Sequence, residues 1–584
     1  MTRTTGSLLS LHALPLMTTW IVICAGLCLT VLLPLGTFCG LYHDTTHYVL
    51  ILHFSLQFLS VALSILLFLE LCRSSSWYLL FTVTPVLLLS AVVILHCLLP
   101  ITEPGALTHY LAVPRWWLAR EAVHEIRWYE PSYHPMLLSM GYSGLLSYGL
   151  AELTAIYHFS FLLILCGITA GSVYYLTEDV ELGILGFILM LGLPICIRLA
   201  SAPATALGLA TFCALATFLI TKWSVSGKGW YHILGAALAM GLALSTGYNA
   251  LIAALAMGLA FIPHSLRCGR TLLTTVWTLL CGTIVSLVTV GPWFIKNAVQ
   301  TFNPIHPLFK QIFGGSVASA PLDSAIGPLQ TRVSLYGETT TDILLLPFRM
   351  LLQGVDYSAQ FFDGTLHPVL LLCVVPLLAL RRERWIMFSY LYLLLFWVGA
   401  LLWEQARIAV LAPVFLVLVL LSCCALPELN RLLNKLIDKK FRLPVYSAFG
   451  LLTLLFSTHY CWQYIQHSKA IDYLGSEQTP DQYLSQQIDV YPMIDYLNKN
   501  LPEDQGYVYL LYTGNNFYYH DKKVIAEGAD SGRQLAAWLK ASNNIDYLYE
   551  ELATRGIGFL LMHNHKIEAK FNQFLDADQR ALWN

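Results

Sequence analysis

Apolar runs recur through residue 463, separated by short polar breaks. Most approach the length of roughly 17 to 25 residues that a helix needs to cross the hydrocarbon core of a bilayer. Thirteen are read: 16–40, 48–71, 77–99, 154–176, 182–199, 204–221, 230–246, 248–263, 271–293, 366–380, 385–402, 406–425 and 443–463. The first is too long for a signal-peptide core and lacks an Ala-x-Ala cleavage pattern, so it is read as a retained helix. Beyond residue 463 the pattern changes. Helical spacing over 490–500, 533–541 and 545–555 alternates with extended patterns over 507–512 and 558–562, which predicts a small α/β domain with a short sheet. The expected fold class is a polytopic α-helical membrane protein of about 13 transmembrane helices, residues 1–463, followed by a soluble C-terminal α/β domain, residues 464–584.

Two long polar segments, 100–153 and 294–365, interrupt the apolar runs. The first holds two stretches of helical spacing, 106–120 and 135–150. With Trp116, Trp117, Trp128 and Tyr129 nearby, these are expected to lie at the membrane interface. Lys and Arg in short loops indicate orientation. If Arg3 and the N-terminus are cytoplasmic, so are the loops carrying Arg73, Lys222, Lys228, Arg267, Arg270, Arg381, Arg382, Arg384, Arg431, Lys435, Lys439, Lys440 and Arg442. The short opposite loops carry almost none. An odd number of spans then puts both long segments and the tail on the outer face.

Composition narrows the class. Charged residues make up 12% of the chain and hydrophobic residues 57%, against about 25% charged in soluble domains, so a soluble globule is excluded. With 33 basic and 35 acidic residues there is no basic field for nucleic acid. Residues 464–584 hold 10 of the basic and 16 of the acidic side chains, the density of a water-exposed domain. All 14 cysteines lie in or beside apolar runs, where they act as small apolar residues, and no disulfide framework or CxxC-type metal site is read.

Segment 100–153 opens with Glu103, then Ala106-Leu107-Thr108-His109-Tyr110-Leu111 and Pro114, and continues with Tyr129-Glu130-Pro131-Ser132-Tyr133-His134-Pro135. Further on stand Gly291-Pro292-Trp293-Phe294-Ile295-Lys296-Asn297, Thr301-Phe302-Asn303-Pro304-Ile305-His306-Pro307-Leu308-Phe309, and Glu404-Gln405-Ala406-Arg407-Ile408-Ala409-Val410-Leu411-Ala412-Pro413. In this order the motifs resemble those of the bacterial GT-C glycosyltransferases, in the branch that includes the aminoarabinose transferases and protein mannosyltransferase-like enzymes. The resemblance covers nearly the whole chain. It implies a GT-C type fold in a bacterial inner membrane, a polyprenyl-phosphate-linked sugar donor, and a lipid, glycan or protein acceptor in the periplasm. One position departs from the pattern: the family usually places its acid directly before Ala-Leu, where this chain has Gly105 and its nearest carboxylate is Glu103.

Transfer from a lipid phosphate needs a carboxylate to take the acceptor's proton and cations to stabilise the departing phosphate. Glu103 is the candidate base, and it reads equally as a cap of the following helix. Glu121, Glu125 and Glu130 stand behind it. Lys296 and Arg407 are the candidate phosphate cations, because they fall on the face where the positive-inside rule expects few; span-end cations also simply snorkel to headgroups. Asn297, Asn303 and His306 are candidates for orienting sugar or phosphate, although Asn-Pro and His-Pro pairs make turns for their own sake. His109 and Tyr110 are further candidates for lining the cleft. No cofactor is required on this reading. A divalent metal is possible but not indicated, since such a hard cation wants several oxygen ligands and the motif offers one acid. The other partners expected are membrane lipids.

The alternatives are a lipid-linked sugar flippase or transporter, and a polysaccharide polymerase or ligase. A transporter would carry ionisable groups near the bilayer midplane, whereas the polar residues here gather at one face. Motif order alone separates the polymerase or ligase reading.

Overall fold

The computed structural model describes residues 5–75, 79–227, 229–310, 312–313, 327–379, 383–436, 445–502, 506–526, 535–539 and 545–563. Arg3, Lys228, Arg381, Arg382, Lys439, Lys440 and Arg442, which bear on the expected orientation, and the ends of the expected helix 533–541 lie outside these residues. The chain divides into two compact units. One comprises Met1–Leu98, Glu121–Val123 and Tyr133–Ala470; the other comprises Leu99–Arg120, His124–Ser132 and Ile471–Asn584.

In the first unit, eight helices among the described residues are long and apolar enough to cross a membrane: Leu11–Phe38, Asp44–Ser74, Leu153–Thr177, Ala206–Ser226, Ala250–Arg267, Leu272–Thr301, Arg384–Trp403 and Ile408–Leu433. The chain is therefore an integral membrane protein. A bent pair, Val180–Gly192 and Pro194–Ala200, turns by 59° and makes a ninth if it counts as one span. The break follows from Pro194, which has no N–H to continue the ladder and holds Leu193 extended, at ψ 121°. The remaining expected spans are also helical, but Thr82–Cys97, Trp230–Thr246 and Pro368–Leu378 are short. Val445–Ser468, although 24 residues long, carries Ser, Thr, His and Gln along its length and falls below the apolarity of the eight. Among the described residues, length and composition thus support eight or nine of the thirteen expected spans.

Many hydroxyls inside the spans bond to their own helix, which satisfies them without water. Thr19, Thr169 and Thr211 donate to the carbonyls of Pro15, Leu165 and Leu207 at 2.7, 2.7 and 2.8 Å. Small residues let helices approach closely. A Cβ added at Gly167 would lie 2.5 Å from Ser64, and one at Gly171 would lie 2.5 Å from Pro15. Gly167→Leu is expected to cost about 1–3 kcal/mol by overpacking this contact. A melting curve in detergent would show it, and an unchanged midpoint would mean that the helix faces slide apart freely.

Contacts sort the loops to two ends of the unit. At one end Arg270 Nη2 donates to Gly227 O at 3.2 Å and Tyr446 Oη to Asp179 Oδ2 at 3.1 Å. At the other, Tyr248 Oη donates to His306 O at 2.8 Å, and His96 Nε2 lies 3.0 Å from Ser468 Oγ. The second stretch read as interfacial forms helix Leu137–Ser147, in which every residue from Leu137 to Leu145 is buried. A helix apolar on all sides belongs in a core rather than on a membrane surface.

The second unit contains a three-stranded parallel sheet, β1 (Tyr507–Leu511), β2 (Val524–Ala526) and β3 (Ile557–Met562), in the order β2-β1-β3. Parallel sheets need cover on both faces. Alternate residues of β1 supply it: Tyr509 and Leu511 pack with Leu535, Leu539, Leu548 and Leu552, while Val508 and Leu510 pack with Ala112 and Phe517. The expected elements 490–500, 507–512, 545–555 and 558–562 appear as Tyr491–Asn500, β1, Ile545–Thr554 and β3. Strand β2 was not anticipated, since three residues are too few to show alternation. Trp116 and Tyr129 were expected at the headgroups, yet they pack under the sheet. Trp117 is fully buried.

Candidate active site

The candidate residues fall into three groups. The first lies in the second unit, where Glu103 precedes Pro104 and a five-residue π-helical turn, Ala106–Tyr110. The turn is closed by Leu111 N–H donating to Ala106 O at 3.1 Å, five residues back. Glu103 contributes to it through its main chain, its carbonyl accepting from Leu107 N–H at 3.1 Å. Such single π turns recur at functional sites. Here the turn sets the His109 ring 5.0 Å from that of Tyr110 and 6.1 Å from that of Tyr129. Tyr129 Oη donates to Thr108 O at 2.7 Å, and burial raises its hydroxyl pKa above the usual tyrosine range. A Cβ at Gly105 would lie 3.1 Å from the Tyr110 ring. A side chain at position 105 would therefore require the Tyr110 ring to shift by a few tenths of an ångström.

The second group lies in the first unit. Helix Leu272–Thr301 begins at Thr271, whose side chain accepts from Thr274 N–H, and ends at Phe302, in the left-handed region at φ 59°. Its 30 residues exceed the roughly 20 needed to span, so its last turns run past the expected span end at residue 293. Lys296 and Asn297 stand on those turns. Asn297 is fully buried, and its Nδ2 donates to Tyr133 O at 2.8 Å, to His306 O at 3.3 Å and to Tyr248 Oη at 3.3 Å. Asn303 closes the next turn: its Nδ2 donates to Leu308 O at 2.8 Å and its Oδ1 accepts from Ile305 N–H at 3.1 Å. Both amides are therefore used as main-chain fasteners. The His306 ring stands edge-on to Tyr133 at 4.7 Å. Lys296 Nζ lies 5.2 Å from the Trp293 ring and 5.8 Å from the Tyr133 ring, a cation held between two aromatic faces. Burial raises the pKa of the Tyr248 hydroxyl, so Tyr248 stays a neutral donor.

The third group surrounds Arg407, at the start of the turn Ile408–Val414. Its Nη2 lies 3.3 Å from Gln405 Oε1. It borders a small apolar recess of about 10 Å³, lined by Met350, Trp397, Leu401, Val410 and Leu411. Burial raises the carboxyl pKa of neighbouring Glu404, and Arg407 partly offsets this.

Two ion networks escaped the sequence reading. Glu338 accepts from Arg332 Nε at 2.7 Å and Nη2 at 2.6 Å, and from Arg349 Nη2 at 3.0 Å. Both guanidiniums stand over Phe362, at 4.7 and 5.6 Å. Burial alone would push the Glu338 carboxyl up, but the two arginines hold it below its ordinary value. Arg198 pairs with Asp363 at 3.0 Å and Asp356 at 3.4 Å, and Asp356 also accepts from Tyr460 Oη at 2.6 Å. The only available signal was a single arginine near the end of an apolar run, facing a long polar segment. His158, inside a span, is buried with Nδ1 2.9 Å from Tyr142 Oη, as a packing histidine should be.

No family model matches the sequence, and no curated protein matches it. Solved structures do. The crystal structure of ArnT from Cupriavidus metallidurans in the apo state is 12% identical, with a TM-score of 0.52 over 84% of this chain and 94% of that one. ArnT from the same organism bound to undecaprenyl phosphate is 14% identical, with a TM-score of 0.49 over 82% and 89%. The archaeal oligosaccharyltransferase AglB from Archaeoglobus fulgidus, in complex with an inhibitory peptide and a dolichol-phosphate, is 14% identical, with a TM-score of 0.43 over 85% and 71%. At such identities the likeness is one of architecture, and what it establishes is that this chain has the fold of the GT-C glycosyltransferases that its motifs resemble.

Proposed function

We propose that the protein is an inverting glycosyltransferase that moves a sugar from a polyprenyl-phosphate-linked donor to a hydroxyl or amine of an acceptor on the outer, periplasmic face of a bacterial inner membrane. One observation carries the reading. Three segments that resemble the family's motifs, around Tyr133, Lys296-Asn297 and His306, meet at the buried Asn297 amide although more than 150 residues separate the first from the second. Convergence of distant motif residues is what a site requires and chance motif matches do not supply.

The chemistry follows from the side chains. In a single displacement the acceptor's oxygen or nitrogen bonds to the anomeric carbon as the bond from that carbon to the phosphate oxygen breaks. The bonding pair leaves with the polyprenyl phosphate, and the configuration inverts. Glu103 takes the acceptor's proton. Lys296, steadied by Trp293 and Tyr133, and Arg407 stabilise charge on the leaving phosphate. His109 and Tyr110 contact the sugar or acceptor, while Asn297, Asn303 and His306 hold the Lys296 helix end in place. Lys and Arg carry the charge stabilisation, with no divalent ion assigned to it.

Orientation rests on charge. The end where Arg270 meets Gly227 carries the basic loops and is assigned to the cytoplasm. Incubation of the purified protein with radiolabelled polyprenyl-phosphate sugars should release polyprenyl phosphate and form a glycoconjugate. Lys296→Gln should lower turnover about 10²–10³-fold, as removal of a preorganised electrostatic donor does, with Lys296→Arg recovering part of it. Absence of any sugar transfer by the wild type, with movement of intact lipid-linked sugar across vesicles, would replace this reading with the flippase.

A further inference from the structure

An open groove of about 450 Å³ runs between helices Trp230–Thr246 and Leu272–Thr301, at the end of the membrane unit where the basic loops lie. Its walls include Trp223, Trp230, Trp277, Leu234 and Val285, with Arg270 at one side. The Arg270 guanidinium lies 5.8 Å over the Trp223 ring and donates to Gly227 O at 3.2 Å, which fixes its charge beside the groove. Trp230 and Trp277 are exposed, at 76% and 60%, as tryptophans at headgroup level are. The floor is shallow because small residues form it: a Cβ at Gly282 would meet nothing nearer than the Ala237 Cβ at 3.8 Å. Thr274 and Thr278 add hydroxyls along one wall. Arg267 is exposed at the same end, and Lys222 precedes Trp223 in the chain.

An apolar channel of this size, open along a membrane-spanning helix, accepts acyl chains. A fixed guanidinium with tryptophans at headgroup depth selects a phosphate-bearing headgroup. We propose that this groove is a binding site for one anionic glycerophospholipid, with its phosphate on Arg270 and an acyl chain over Gly282. The groove shares helix Leu272–Thr301 with Lys296, but Arg270 and Lys296 stand at opposite ends of that helix, and no residue assigned to sugar transfer lines the groove. It does not depend on that assignment.

Native mass spectrometry of the full chain in detergent, titrated with phosphatidylglycerol or with phosphatidylcholine, tests this. One phosphatidylglycerol should be retained in preference to phosphatidylcholine. Arg270→Gln should lower that retention about fivefold, since one basic side chain near an anionic headgroup contributes about 1 kcal/mol, and Arg270→Lys should keep most of it. Gly282→Phe, which fills the floor without a backbone clash, should abolish it. Retention of both lipids alike, retention unaffected by Arg270→Gln, or displacement by millimolar inorganic phosphate alone would overturn the proposal. Because Arg270 is exposed, its variants test the site even if Gly282→Phe fails to fold.

Discussion

Glu103→Gln is expected to lower sugar transfer about 10²–10⁴-fold, the usual contribution of a positioned general base, while the protein folds and melts as the wild type does. The substitution keeps the side chain's size and leaves a main-chain bond intact: the Glu103 carbonyl accepts from Leu107 N–H. Loss of a proton acceptor acts on the chemical step, so kcat should fall with little change in KM for the donor. Transfer and melting are to be measured on one preparation. Normal turnover would send the base to another acid. The acids to vary next are Glu125, which pairs with Arg127 at 2.9 Å, Glu121 and Glu130.

How much of this was legible in the sequence depended on the range of the interaction. The spans were legible because bilayer thickness imposes a length on apolar runs, and each run read is helical. Their number was less so, because apolarity does not report where a helix ends or breaks: the runs 77–99, 230–246 and 366–380 form short helices, and 182–199 bends at Pro194. Strands β1 and β3 of the sheet were legible from the sequence pattern, whereas the three residues of β2 carry no period. The tryptophans of segment 100–153 were misread for a related reason. An amphipathic aromatic suits a headgroup zone and a half-wet core equally, and only the sheet of the second unit, built from residues four hundred positions later, decides for Trp116 and Tyr129.

The candidate site divides in the same way. Lys296, Asn297 and His306 could be named from local motifs, but their meeting with Tyr133 and Tyr248 is a long-range fact. Asn303, by contrast, behaves as its Asn-Pro pair suggested and closes a turn. The ion networks were invisible. Arg332 and Glu338 are six residues apart with no helical or strand period linking them, and the Gly337 kink at φ 67° is what folds the carboxylate back on the guanidinium.

That network sets the largest expected loss of stability. Arg332 and Glu338 are each about 5% exposed and Arg349 15%, so the carboxylate neutralises two cations largely out of water. Glu338→Gln leaves Arg332 without its counter-charge and Arg349 with only the carboxylate of Asp342 at 4.0 Å, and breaking a buried pair in this way costs about 3–5 kcal/mol. Replacing all three residues by apolar ones of similar volume should cost far less, because no charge is then stranded. The pH dependence has a definite sign. The folded Glu338 carboxyl is depressed, so its stabilisation is fully present above the unfolded value of about 4.3 and is lost as pH falls through the lower folded value. Melting in detergent should therefore show a Glu338→Gln deficit that is constant from about pH 8 to pH 5 and narrows below about pH 4, as the wild type loses the same charge. A deficit that widened towards low pH would mean that the arginines, not the carboxylate, control this part of the loop.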